Sequence, residues 1–147
     1  MNMSLILSEE RVFSCVEADS KRALFEEAAK VFAKEEGLDS AKVFEALWER
    51  ENLGSTGYGE GIAVPHARMD GLNKVVALFA RLKKGIDFDA YDGKDVDLVA
   101  VIISPEKSGE DHLLALSAFS RVLKNPEACK KLRQAKSTHD IYTILNQ

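Results

Sequence analysis

A single α/β domain, with a mixed β-sheet flanked by α-helices, is the fold that the sequence predicts. Helical apolar spacing marks residues 19–52, short β-prone runs mark residues 62–103, and helical spacing returns over residues 108–145. Strands placed between helices in this way indicate a sheet that helices cover. The 147 residues are 46% hydrophobic and 30% charged, as in a globular protein that buries a core without disulfides or metals. We expect residues 1–147 to form one domain.

Two helices are predicted in the first third of the chain. The first begins at Asp19 or Ser20, has apolar residues at helical spacing to about Glu36, and ends at Gly37. The second runs over residues 39–52, with an aspartate at its N-cap and a glycine just past its end.

A loop and four strands are predicted in the middle of the chain. Four of the eight residues over 54–61 are glycine, which is typical of a loop or tight turn. The run over 96–103 is strongly apolar and β-branched, so we expect it to be a central strand. The predicted strands are residues 62–64, which Pro65 ends, 75–82, a short piece at 86–88, and 96–103.

Three helix starts are predicted in the last third of the chain. Ser108 is the expected N-cap of a helix that continues to about Lys124, because an acidic residue follows it three positions later. Asn125 is followed by a proline, the preferred residue at the first helical position. Ser137 repeats the capping-box spacing and begins the last helix.

Composition excludes several functional classes. The net charge of −4 argues against a general nucleic-acid-binding protein, which would carry a basic surface. Cys15 and Cys129 form no CxxC pair, so we expect two buried or half-buried free thiols rather than a disulfide or zinc site. No apolar run is long enough for membrane insertion, and the first ten residues lack the pattern of a signal peptide. We therefore expect a cytoplasmic protein.

The strongest chemical signal surrounds His66. This histidine follows a glycine-rich loop, a short strand and Pro65, so we expect it at the edge of the sheet. Ser55, Thr56 and the amide of Gly57 could donate hydrogen bonds to an anion there. Arg50 supplies a permanent charge suited to phosphate oxygens. The loop matches no nucleotide-binding motif, so ATP binding gains no support.

The other two histidines are weaker candidates. His112 would lie in the first turn of its helix, where the helix dipole disfavours a protonated ring. A half-exposed helix residue without chemical function is the competing interpretation. His139 is expected at the surface. The histidines show no HxxxH or HExxH spacing, so we expect neither a metal site nor a cofactor.

These residues resemble a known family. The segment 50–66 reads RENLGSTGYGEGIAVPH and looks like the active-site signature of the IIA components of the bacterial phosphoenolpyruvate-dependent phosphotransferase system (PTS). It is most similar to the fructose, mannitol and nitrogen-regulatory class. The resemblance covers nearly the whole chain. Further matching segments are Ser20–Leu24, Phe88–Ala90 with Asp92, Val96–Leu98, and His112–Leu113 with Leu116–Ser117. The segment 86–90 and the free-standing chain look most like the nitrogen-regulatory branch.

The resemblance implies both a fold and a mechanism. The fold would be a PTS IIA type-2 domain of the mannitol type. His66 would be the phosphorylated histidine, His112 the second active-site histidine, and Arg50 the arginine near the phosphoryl group. An HPr-like phosphocarrier would supply the group, and regulatory target proteins would sense it. The sequence departs from many members in having Ala67 where they carry glycine, which removes no chemical group.

Three alternatives remain. A sugar-specific IIA component would pass its phosphoryl group to a IIB domain of a permease. A regulatory binding module would carry no phosphoryl group on His66. A small histidine-based hydrolase is the third, and neither a carboxylate-paired triad nor a metal set supports it.

Overall fold

The computed structural model describes residues 1–147 as three layers, with helices on both faces of one six-stranded mixed sheet. The predicted fold class is therefore confirmed. Two short 3-10 helices, Met3–Leu5 and Glu9–Arg11, precede the first strand. The strands are β1 (Val12–Val16), β2 (Gly57–Gly59), β3 (Ile62–Ala63), β4 (His66–Met69), β5 (Val76–Ile86) and β6 (Val96–Pro105). The helices are α1 (Lys21–Glu36), α2 (Ser40–Leu53), α3 (Asp111–Leu123), α4 (Pro126–Gln134) and α5 (Thr138–Leu145).

Strand β6 lies at the centre of the sheet, as its apolar run predicted. The strand order is β1-β5-β6-β3-β2, and β4 pairs with β6 beyond β3. Strand β6 runs antiparallel to β5 and parallel to both β3 and β4. Val64 and Pro65 separate β3 from β4, so both short strands pair with one long neighbour. Strand β4 has no second partner and forms an edge of the sheet, which places His66 at that edge as predicted.

The strand predictions need four corrections. Strand β1 was missed, and β2 occupies part of the segment predicted as a loop. Glu60 and Gly61 have φ values of 57° and 81°, which turn the chain so that β2 pairs antiparallel with β3. The predicted strand over 75–82 extends to Ile86, so the separate piece at 86–88 does not exist. Pro65 ends β3, but the chain resumes as β4 at the next residue.

Helix starts follow the predicted caps with one exception. Ser20, Asp39, Asn125 and Ser137 each accept a hydrogen bond from the first turn of the helix that follows. Ser108 does not cap α3, because a turn through Gly109 delays the helix and Glu110 becomes the N-cap without a side-chain bond. The hydroxyl of Ser108 is buried and unpaired.

Two cores lie on opposite faces of the sheet. Helices α1 and α2 cover one face, where Phe25, Phe32 and Leu47 are fully or almost fully buried. Helices α3, α4 and α5 cover the other, together with the N-terminal segment. Cys129 is buried in this second core, whereas Cys15 is exposed, so the expectation that both thiols are at least half-buried is wrong for Cys15. No helix combines the length and the apolar character needed to cross a bilayer.

Candidate active site

Three of the residues predicted to carry chemistry line one open cavity of about 740 Å³ at the β4 edge of the sheet. His66 comes from the start of β4, His112 from the first turn of α3, and Arg50 from the last turn of α2. The ring centroids of the two histidines lie 5.5 Å apart. The fold thus brings together residues that are up to 62 positions apart in the sequence.

The ring of His66 has a defined proton position. Its Nδ1 lies 2.8 Å from the carbonyl oxygen of Val64. A carbonyl can only accept, so Nδ1 carries the hydrogen and donates it. The lone pair of the neutral ring is therefore on Nε2. This contact supplies the acceptor that the sequence did not reveal, and it leaves Nε2 as the ring nitrogen with a free lone pair.

The surroundings of His66 favour the neutral ring. Burial is the largest influence and lowers the pKa of His66 below its ordinary value of 6.5. The positive charges of Arg50 and Arg68 lower the pKa further, whereas the hydrogen bond to Val64 and the carboxylate of Glu51 raise it. Because the net effect lowers the pKa, more of the ring is unprotonated at neutral pH than in an exposed histidine.

His112 is more strongly held in the neutral form. Its side chain is only 6% exposed, and its Nδ1 lies 2.7 Å from the hydroxyl oxygen of buried Ser104. Burial, followed by the charges of Arg68 and of a protonated His66, lowers the pKa of His112 to about 4. The competing interpretation, a half-exposed helix residue, does not describe this environment.

Two arginines provide positive charge in the cavity. One guanidinium nitrogen of Arg50 donates to the carbonyl oxygen of Gly54 at 2.9 Å, which fixes the side chain against the end of α2. A guanidinium has five N–H donors, so others stay available for an anion. Arg68 also lines the cavity and was not predicted. Side chains two positions apart on a strand lie on the same face, so Arg68 shares a face of β4 with His66. This spacing could have identified Arg68 from the sequence.

The predicted loop donors lie elsewhere. Ser55, Thr56 and Gly57 are not among the residues that line the cavity. The Ser55 hydroxyl donates to the carbonyl oxygen of Phe88 at 2.7 Å, and the Gly57 amide donates to the Ser55 hydroxyl oxygen. The buried hydroxyl of Thr56 bonds to Glu51. Their role in phosphoryl binding stays a prediction, and these contacts give them a structural role as well.

Acidic residues also line the cavity. The neighbouring carboxyl of Asp70 raises the pKa of Glu106, first because the protonated form of Glu106 can donate a hydrogen bond to Asp70 and then because the two negative charges repel each other. Glu45 and Glu49 face the cavity from α2. The cavity lining therefore carries both signs of charge, with Lys42 as a third basic residue beside the two arginines.

Two apolar side chains of the glycine-rich segment, Tyr58 and Ile62, expose little surface for a docking partner. Tyr58 is half-buried, and its hydroxyl lies 3.2 Å from that of Ser120. Ile62 belongs to the core and is only 5% exposed.

His139 lies at the surface, as predicted, where its Nδ1 is 2.7 Å from a carboxylate oxygen of Glu9.

Comparison with known proteins points to one family. A model of the family described as "Phosphoenolpyruvate-dependent sugar phosphotransferase system, EIIA 2" matches residues 5–147. A nitrogen regulatory protein from Bradyrhizobium diazoefficiens is 38% identical over 145 residues, covering 99% of this chain and 95% of that protein. A fructose-specific EIIA component from Haloferax volcanii is 43% identical over 107 residues, covering 73% of this chain and 70% of that protein.

Solved structures agree with this family. The nitrogen regulatory protein IIA-Ntr from Neisseria meningitidis matches with a TM-score of 0.93 and 36% identity, covering 97% of this chain and 98% of that chain. The IIA mannitol protein from Escherichia coli matches with a TM-score of 0.80 and 23% identity, covering 94% of this chain and 97% of that chain. The second match bears on the fold alone, and it confirms the mannitol-type architecture.

Proposed function

Because the chain belongs to the EIIA 2 family of the PTS, we propose that it is a phosphoryl carrier that accepts the group on Nε2 of His66. The single observation that carries this proposal is the hydrogen bond from His66 Nδ1 to Val64, which leaves the Nε2 lone pair free in the cavity. The donor is an HPr-like phosphocarrier. We place the exchange in the cytoplasm, with a transient and small docking surface.

The reaction is a transfer between two nitrogen atoms. The P–N bond of the donor phosphohistidine breaks, and its electron pair returns to the donor ring. A new P–N bond forms with the lone pair of His66 Nε2, while the proton on Nδ1 stays in place. The hydrogen bond to Val64 stabilises the positive charge that the ring gains as it reacts.

The two cavity arginines stabilise the negative charge on the phosphoryl oxygens. Phosphoryl transfer passes through a loose state with negative charge on three equatorial oxygens. Arg50 and Arg68 line the cavity with His66 and are the proposed stabilisers. Neutral His112 can donate from one ring nitrogen and accept at the other, so it can bind a phosphoryl oxygen without a charge of its own.

Regulation of partner proteins is the output that we propose. The chain matches relatives named nitrogen regulatory protein over nearly its full length. A phosphoryl group adds a charge of about −1.5 to −2. At an open cavity this change is large enough to select between target proteins that bind the free form and targets that bind the phosphorylated form.

Sugar transport is the second candidate. The similarity to a fructose-specific EIIA component favours it. In that case His66 would pass its group to a IIB domain of a permease. The two functions share the first transfer and differ only in the acceptor, so a IIB acceptor assay distinguishes them.

The first transfer can be tested with phosphoenolpyruvate, enzyme I and the HPr-like carrier of the same cell. Intact-mass spectrometry would follow wild type, His66→Ala and the surface control His139→Ala. One acid-labile phosphoryl group on wild type and His139→Ala, but not on His66→Ala, is the expected result. No group on wild type, with a carrier that phosphorylates another acceptor, overturns the proposal and favours an unphosphorylated binding module.

A further inference from the structure

We infer that Glu51 is a positioning residue, which fixes the His66 ring from outside the cavity through Thr56 and Val64. Glu51 lies next to Arg50 in the last turn of α2, but its side chain points into the protein and is 4% exposed. It does not line the cavity. A carboxylate this deeply buried needs both hydrogen bonds and a compensating charge.

The carboxylate of Glu51 receives three donors. The amide nitrogen of Thr56 lies 3.1 and 3.2 Å from its two oxygens, and the Thr56 hydroxyl bonds to one of them. The ammonium of Lys21 approaches the other at 3.0 Å. Thr56 itself is 3% exposed, so water does not replace these bonds. The position of Thr56 is therefore set by Glu51.

The same loop residue connects to the active site. The carbonyl oxygen of Thr56 accepts from the amide of Val64 at 3.1 Å. The carbonyl oxygen of Val64 accepts from Nδ1 of His66 at 2.8 Å. A path of hydrogen bonds, joined by the backbone of Thr56 and Val64, thus leads from the buried carboxylate to the His66 ring. Movement of Thr56 would shift the Val64 peptide groups and weaken the bond that fixes the His66 proton on Nδ1.

Lys21 anchors the far end of this path. Its ammonium also approaches the carbonyl oxygen of Phe88 and a carboxylate oxygen of Asp89, both at 3.3 Å. The hydroxyl of Ser55 donates to the same carbonyl oxygen. The glycine-rich segment is therefore held between α1, α2 and the turn after β5. Lys21 offsets the buried negative charge, and a carboxylate without that partner is costly in such a site.

The charge of Glu51 acts on His66 in addition to the contacts. It raises the pKa of His66, against the effect of the two cavity arginines. A purely structural role would affect stability alone. If Glu51 positions the ring, its replacement also changes which ring nitrogen of His66 carries the proton in the unphosphorylated protein.

The experiment measures the tautomer of His66 by long-range nitrogen–proton NMR in the unphosphorylated chain, and the phosphorylation rate beside it. The variants are Glu51→Gln, Thr56→Val and Thr56→Ser. Glu17→Gln is the control, because Glu17 also pairs with a lysine at 3.0 Å but is 73% exposed. We expect the Nε2–H tautomer to appear in Glu51→Gln and Thr56→Val, with rates about 10-fold to 100-fold lower. Thr56→Ser keeps the hydroxyl, so it should show the wild-type tautomer and the wild-type phosphorylation rate. Glu17→Gln should also match wild type in both.

Each outcome decides the inference. If Glu51→Gln does not fold, the Thr56→Val and Thr56→Ser pair carries the test, since Val and Thr have nearly the same shape. A wild-type tautomer in the folded Glu51→Gln or Thr56→Val variant overturns the inference, even if the rate falls. The rate readout rests on the proposed function, but the tautomer readout does not. A wild type that takes no phosphoryl group would therefore end the proposed function and leave this inference to be decided by NMR.

Discussion

The rings of His66 and His112 lie 5.5 Å apart at an angle of 56°, and each ring uses Nδ1 for a different partner outside the pair. His66 bonds to the carbonyl of Val64, and His112 bonds to the hydroxyl of Ser104. The two rings do not hydrogen-bond each other, so both Nε2 atoms stay available in one cavity. Two neutral imidazoles can share this space, whereas two charged ones would repel each other.

The free energy of unfolding should fall as the pH falls from 6.5 to about 4. His112 has a pKa of about 4 in the folded chain and an ordinary value of 6.5. Between these values the unfolded chain binds more protons, so acid favours unfolding. The lowered pKa of His66 acts in the same direction. We expect protonation of His112 to lower the free energy of unfolding by on the order of 2 kcal/mol over this pH range. This is less than the full pKa shift implies, because water in the cavity screens the charge.

Urea denaturation of wild type, His112→Gln and His139→Gln across this pH range checks the sign. His112→Gln should show a weaker pH dependence. His139 has a raised pKa because it pairs with Glu9, so its contribution is complete below pH 6.5 and declines as the pH rises through the folded value. His139→Gln should therefore keep the acid dependence of wild type. An unchanged acid dependence in His112→Gln would contradict the neutral buried ring.

Replacement of either cavity arginine should slow phosphorylation and raise the pKa of His66. Arg50→Ala should lose about 100-fold in rate, since loss of one preorganised donor to a developing negative charge has effects of this size. Arg68 is exposed, so we expect a smaller loss, about tenfold, from Arg68→Ala. Both charges lower the pKa of His66 in wild type, so both variants should bring it nearer 6.5. Single-turnover phosphorylation and NMR titration measure the two effects, and an unchanged rate would remove that arginine from the mechanism.

Ser55→Ala should affect stability more than rate. It removes the bond from the hydroxyl to Phe88 and the acceptor for the Gly57 amide. We expect a loss of about 1 kcal/mol and a phosphorylation rate within about twofold of wild type. Urea denaturation and the single-turnover assay compare the two. A rate that drops sharply while stability is unchanged would support the phosphoryl-binding role predicted from the sequence.

Gly57→Ala should destabilise the fold, and Gly54→Ala should not. A Cβ on Gly57 would lie 2.9 Å from the Cβ of Ala90 and 3.2 Å from its Cα. Relief of that overlap requires movement of the backbone, which costs about 1–3 kcal/mol. Gly54 has open space around its Cβ position and an extended φ of 164°. Urea denaturation should place Gly54→Ala within about 0.5 kcal/mol of wild type, and equal losses in both variants would contradict the steric explanation.

Local signals predicted the helices and the position of His66 at the edge of the sheet. Ser20 and Asn125 act as caps through contacts within three residues, which a sequence pattern contains. His66 was identifiable because the glycine segment, the strand and Pro65 stand directly before it. Ser108 failed as a cap because the turn at Gly109 competed with the helix start.

Long-range contacts explain what the sequence did not predict. Strand β1 forms because it pairs with β5, which lies more than 60 residues later in the chain. The five residues of β1 have little periodicity of their own. Ser55 and Thr56 have the hydroxyls that an anion site uses, but the fold places Glu51 and Phe88 where those hydroxyls are satisfied. The sequence shows these hydroxyls but not the partners that they bond in the folded chain.

Because β3 and β4 both pair with β6, the number of residues between β3 and His66 is fixed. Ile62 pairs with Leu98 and His66 with Ile102, so the same number of residues separates the partners on both strands. Deletion or insertion of one residue at Val64–Pro65 would turn every later side chain of β4 to the opposite face. The imidazole would then enter the core beneath α2, and Ala67 or its neighbour would face the cavity. Variation in this chain can change the composition of that short link but not its length.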